Sequence, residues 1–344
     1  MKKLILCFIA IISLLFMACS EPIVLQEQGS FTAGGSTLTN NGEFVFSDLW
    51  SQSGQTAYGD NAFVRYQIPV NAKKLPMVFL HGGGQSMKTW ETTPDGREGF
   101  QNIFLRRGFS TYLVDQPRRG DAGFTLVSGE PVTPMFYDRT MFTLFRLGRW
   151  PDFYPDTKFP QTSESLENFY RQGTPNTGPL DFNIIADAMA SVLEKTGPAI
   201  LVTHSQGGGA GWLTALRSGN IRAIVAFEPG GSPRLFPSDE LPKPINTSFG
   251  IIEGTPITLE DFRKFTKFPI VIFYGDHIAD DPTDDYGSDA RMSTWNLPTG
   301  DCVSSAVISR PVDCARRLMF SSFASHSVKS LASFCHIVRK SSIS

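Results

Sequence analysis

Residues 201–208, LVTHSQGG, decide the reading of this chain. An apolar run ends in His204-Ser205-Gln206-Gly207, the outline of a serine set on a sharp turn between a strand and a helix. Such a turn favours small residues on either side of the serine, because Cβ atoms there collide with neighbouring backbone. Thr203 stands where the first small residue of the usual G-x-S-x-G pattern sits, and Gly207 keeps the second. Gly208 and Gly209 give the following helix a slender first turn. A serine before a glycine run also suits a plain helix N-cap, so the pentapeptide needs support from elsewhere in the chain.

That support is at residues 77–84, MVFLHGGG, a second short apolar run that ends in His81-Gly82-Gly83-Gly84. Acyl transfer needs backbone N–H groups aimed at the oxygen that turns negative in the tetrahedral intermediate, and glycines let the main chain approach it. An HGGG loop upstream of a serine elbow is how lipases and esterases build this hole. The expected donors are the amide of Gln206 and that of Gly83 or Gly84. His81 reads as a structural residue that shapes the loop.

Further apolar runs at 62–68, 76–80, 110–115, 199–204, 222–227 and 269–275 alternate with helical stretches. That alternation predicts an α/β fold, a mostly parallel sheet with helices on both faces. Active sites of such sheets lie at the carboxyl ends of the strands, where Ser205, the HGGG loop, Asp115, Glu228 and Asp276 all fall.

A serine nucleophile needs a base and an acid to orient that base. Glu228 and Asp276 are the two acid candidates, both at strand ends after the serine, in the chain order of serine, acid, histidine. The five histidines are at 81, 204, 277, 326 and 336, and that order leaves the last three for the base. His277 reads as part of a loop with Asp276, and His336 falls inside a helical stretch. His326 precedes a final helical stretch, where such folds deliver their histidine.

The 344 residues, 41% hydrophobic with a net charge of −2, are enough for one large core and offer no basic stripe for nucleic acid. No clustered His, Cys or carboxylate spacing implies a metal, and the chemistry needs no cofactor. Met1-Lys2-Lys3 and the apolar LILCFIAIISLLFMA read as a signal peptide over 1–19. Phe16-Met17-Ala18-Cys19 is similar to a bacterial lipobox, so export is expected, to the periplasm or the outer membrane with lipid on Cys19, or by simple secretion. Residues 20–42, rich in Ser, Thr, Gly and Gln, read as a spacer. The catalytic domain is expected over 43–344, with an aromatic, proline-rich cap at about 125–180 and an atypical tail at about 297–344.

Several longer strings carry a resemblance. Residues 90–99 (WETTPDGREG), 104–108 (FLRRG) and 114–120 (VDQPRRG), then Phe145-Arg146-Leu147-Gly148, His204-Ser205-Gln206, Glu228-Pro229-Gly230 and Gly275-Asp276-His277-Ile278 resemble the small bacterial esterase 713 group of the α/β-hydrolase superfamily. The resemblance covers roughly residues 42–280. It implies an exported serine hydrolase that cleaves small-molecule carboxylic esters, with Ser205 as nucleophile and Glu228 as acid, in preference to Asp276.

The tail departs from that group's pattern. Its Gly-Asn-Ser/Thr-His element is absent, and residues 301–344 hold twelve serines and three of the five cysteines, Cys302, Cys314 and Cys335. The distance from His277 to His326 matches what the resemblance implies for the catalytic histidine, so His326 is the expected base. The alternative is a catalytically inactive surface lipoprotein or a frame-disrupted product that lacks the histidine.

Overall fold

The computed structural model describes residues 22–127, 131, 137–230, 232–247 and 250–273. Asp276, His326, Cys19 and the tail cysteines lie outside them.

Among the described residues seven strands form the central sheet: β1 (Leu25–Ala33), β2 (Ala62–Pro69), β3 (Met77–Leu80), β4 (Thr111–Asp115), β5 (Ala199–His204), β6 (Ile221–Phe227) and β7 (Ile270–Phe273). Their order is β1-β2-β4-β3-β5-β6-β7. β4, β3, β5, β6 and β7 pair in parallel, while β2 runs antiparallel to β1 and β4. The six expected strands match β2 to β7 within a few residues at each end.

Period-two alternation splits the strand residues between two cores. Val78, Leu80, Leu201 and Ile224 face one side, and Met77, Phe79, Val202 and Val225 the other. The first side is covered by α4 (Phe182–Thr196) and α5 (Gln206–Arg217), through residues such as Met189, Val192 and Trp212, and by Phe262 of α6 (Leu259–Arg263). α1 (Phe100–Leu105) covers the second side with Phe100 and Phe104, joined by Trp90. Asp181 starts α4 by accepting from the amides of Asn183 and Ile184, satisfying two of the donors a helix start leaves open.

The spacer expected over 20–42 is corrected. Residues 25–33 are β1, paired with β2 along its length, and residues 36–39 form a ribbon with 56–59. An edge strand has one wet face, so it tolerates the Gln, Ser and Thr side chains that read as linker. Phe31 packs inward against Tyr66 and Tyr112, and Ala33 is buried.

Between β4 and β5 the chain makes a long excursion with its own apolar cluster. α2 (Asp138–Leu144) and α3 (Ser163–Tyr170) pack Met141, Phe142, Leu147, Phe159 and Phe169 together. These aromatics were expected in a cap, and here they hold the insert to itself. Between β6 and β7 lie two further short ribbons, 235–237 with 255–257 and 245–247 with 250–252.

Candidate active site

β5 ends at His204, and α5 begins at Gln206. Ser205, alone between them, has φ +48° and ψ −122°, a backbone state that non-glycine residues adopt only when their surroundings impose it. Here β6 and the turn that follows it impose it: the Ser205 amide donates to Phe227 O at 3.0 Å, and Ser205 O accepts from the Gly230 amide at 2.8 Å. Ser205 occupies the N-cap position of α5, yet its side chain makes no cap hydrogen bond. The helix-cap reading of this serine therefore fails. A Cβ on Gly207 would stand 2.6 Å from His81 O, which is why this position stays small.

The HGGG loop crosses directly over the turn. A Cβ on Gly82 would lie 3.0 Å from Ser205 Cβ, and one on Gly83 would lie 3.4 Å from Gln206 Nε2. Gly84 is turned by a φ of +63° and gives its carbonyl to the Thr174 amide at 2.8 Å. The Gly83 and Gln206 amides donate to no group among the described residues. The loop thus sets Gly82 against Ser205 and Gly83 against Gln206.

Two histidines flank the turn in neutral form. His81 is fully buried, and burial, then the Arg119 charge, lowers its pKa to about 3. Its Nδ1 donates to Gly82 O at 2.9 Å, and its Nε2 accepts from the Gln116 amide at 3.4 Å. The structural role expected for His81 fits these bonds. His204 is brought to about 4, by burial first and then by Arg146. Gln85 Oε1 accepts from the Gly82 amide at 3.1 Å and faces His204 Nδ1 at 2.9 Å. The Gly82 N–H fixes the amide orientation of Gln85, so His204 Nδ1 is the donor of that second bond.

Glu228 sits at the end of β6 with φ +45°, its amide bonded to Phe273 O at 2.8 Å. Its Oε1 accepts from Arg146 Nη2 of the insert, and both side chains are largely buried. Phe145, the preceding residue, lies 6.4 Å from the His204 ring. The insert therefore reaches both the nucleophile turn and the acid candidate.

Asp115, at the end of β4, is a structural anchor. Its carboxylate accepts from the Met87 amide at 2.6 Å and the Asp121 amide at 2.8 Å, and burial raises its pKa. The structure adds residues to which the sequence reading gave no role: Gln85, Arg119, Arg146 and Asn176. Arg119 lies in VDQPRRG and Arg146 in FRLG, but a buried guanidinium is recognised only by its partners.

Residues 77–320 match the model of the alpha/beta hydrolase family. A probable secreted lipase, phiG, of Fungal sp. (strain ATCC 74256) is 31% identical over 210 residues, 56% of this chain and 56% of that protein. The chain thus matches little more than half the length of that relative. The solved structure of a novel bacterial esterase superposes with a TM-score of 0.71 at 26% identity, over 94% of this chain and 98% of that one.

Proposed function

The chain belongs to the alpha/beta hydrolase family, and we propose that it is an exported serine esterase that cleaves small-molecule carboxylic esters through an acyl-enzyme. The observation that carries this reading is the strained Ser205 turn set directly under the HGGG loop.

In this mechanism Ser205 Oγ attacks the ester carbonyl while a histidine takes its proton. The oxygen that becomes negative is held by the Gln206 and Gly83 amides, each donor lowering the barrier by about 3 kcal/mol. The histidine returns the proton to the leaving alcohol, and water then releases the acid. Glu228 is the acid that orients the base, since it follows β6 beside the nucleophile turn. His326 is the proposed base, and Asp276 is the alternative acid. The site needs no metal or cofactor for these steps. The lysine-led apolar start supports export, as does the likeness to a probable secreted lipase. Lipid on Cys19 is then tested by palmitate incorporation that Cys19→Ser abolishes.

A second reading, an inactive member of the fold, is favoured by the serine-rich composition of residues 301–344 and by the engagement of Glu228 with Arg146. Turnover of p-nitrophenyl acetate and butyrate separates the two. The esterase reading expects activity that falls to background in Ser205→Ala and His326→Ala, and by roughly a hundredfold or more in Glu228→Gln with Asp276→Asn nearly unaffected. A folded parent with no turnover would favour the inactive member.

A further inference from the structure

Arg119 is 1% exposed, and no carboxylate pairs with it among the described residues. Its Nη1 donates to two carbonyls of the loop over the serine, Gly82 O and Gln85 O, both at 3.2 Å, and its Nε to Asn176 Oδ1. Burial lowers its pKa to about 10, with Asp115 opposing, so it is a cation at neutral pH. Burying a guanidinium among neutral acceptors is a poor way to gain stability, since apolar side chains of similar volume commonly do as well. The arrangement has to be explained by what the charge does.

The Gly82 carbonyl and the Gly83 amide are two ends of one peptide. The cis peptides among the described residues are Trp150-Pro151 and Ser232-Pro233, so this one is trans, with its N–H opposed to its C=O. Fixing Gly82 O therefore aims Gly83 N–H the other way. A cation bonded to the carbonyl also polarises the peptide and strengthens its N–H as a donor. His81 Nδ1 and the Gln85 amide share the same carbonyl, at 2.9 Å and 3.4 Å, so three donors hold it in place. Gly83 borders Gln206, which supplies the second proposed oxyanion donor.

We propose that Arg119 is a positioning residue of the oxyanion hole, acting through the Gly82–Gly83 peptide. The proposal rests on the esterase reading and extends it. Asn176 belongs to the segment leading out of the insert, whose Thr174 amide also holds Gly84 O, so the same brace ties the hole to the insert. Lysine cannot replace it, because an ammonium is a point charge and cannot span Gly82 O, Gln85 O and Asn176 Oδ1 at once.

The test compares parent and Arg119→Lys with p-nitrophenyl butyrate, counting active sites with a fluorophosphonate, and measures inhibition by an alkyl trifluoromethyl ketone, whose adduct carries the oxyanion. Expected is a kcat per titrated site at least about tenfold lower, with KM changed by less than about threefold and ketone affinity weakened by the factor lost from kcat. A purely structural role would lower the yield of active sites and leave both quantities per site unchanged. A folded Arg119→Lys with kcat and ketone affinity within about twofold of the parent would overturn the proposal. If Arg119→Lys does not fold, Asn176→Ala decides, since it removes only the Nε partner: the same paired loss, at about threefold or more, supports the brace, and unchanged values overturn it. A parent that turns over no ester would remove the esterase reading and this role with it, whereas an active parent matched by Arg119→Lys removes only the role.

Discussion

Thr203 occupies the place two residues before the nucleophile where glycine is usual, and α5 accommodates it. A Cβ on Gly211 would lie 2.8 Å from Thr203 Cγ2, too close for either atom to keep its place. A glycine inside a helix costs about 1 kcal/mol relative to alanine, so Gly211→Ala would stabilise an unconstrained helix. Here it is expected to destabilise by about 1–3 kcal/mol through overpacking. Thr203→Ser removes the opposing methyl, and the double variant should recover most of the loss, a coupling of about 1 kcal/mol or more in urea unfolding. Additive effects would mean that Thr203 and Gly211 are not matched. The two neutral histidines make a second prediction. Folded values of about 3 for His81 and about 4 for His204 lie below the ordinary 6.5, so between those limits the unfolded chain binds protons that the folded one does not. Stability therefore falls as pH drops from about 6.5 to 4, each histidine contributing up to ~1.4 kcal/mol per pH unit. His81→Gln should flatten this slope when unfolding is followed from pH 7 to 4. A slope equal to the parent's would show that His81 protonates without cost.

At the scale of elements, legibility followed burial. The strands β3 to β7 are covered on both faces and so are written as largely apolar runs, which the sequence shows within a residue or two. β1 is an edge strand whose outward positions are Gln28, Ser30 and Thr32, and those polar residues hid the inward Phe31 and Ala33. Three-residue ribbons such as 235–237 carry too few residues for any period to emerge. The correction at β1 has a measurable consequence. A chain beginning at Leu25 should match the parent in thermal unfolding. A chain beginning at Gly35 loses the pairing to β2, the Phe31 contacts and the Lys195 Nζ to Thr32 O bond, and leaves β2 as a bare edge. Its Tm should drop by roughly 5 °C or more, or the protein should aggregate. Equal Tm values would return residues 25–33 to the role of spacer.

Across the whole molecule, the sheet gathers at one edge residues far apart in the chain, and this decides which parts of the site could be read. Ser205, Gly83, Gly84, Gln206 and Glu228 stand in short local strings whose spacing reports a turn or a strand end. Gln85 meets His204 across 119 residues, and Arg146 meets Glu228 across 82, so nothing in their own neighbourhoods signals either contact. The Arg146–Glu228 pair joins the insert to β6, and its side chains are only 16% and 12% exposed. A pair so little exposed is screened weakly, and removing one partner leaves the other charge poorly solvated. Arg146→Met and Glu228→Gln should each lower stability by about 1–3 kcal/mol, while the double variant loses less than their sum by at least about 1 kcal/mol. Limited proteolysis should show the same coupling within the insert, with cleavage over residues 137–180 faster in either single variant than in the parent. Additivity within about 0.5 kcal/mol, together with unchanged cleavage, would mean that the aromatic cluster holds the insert in place without this pair.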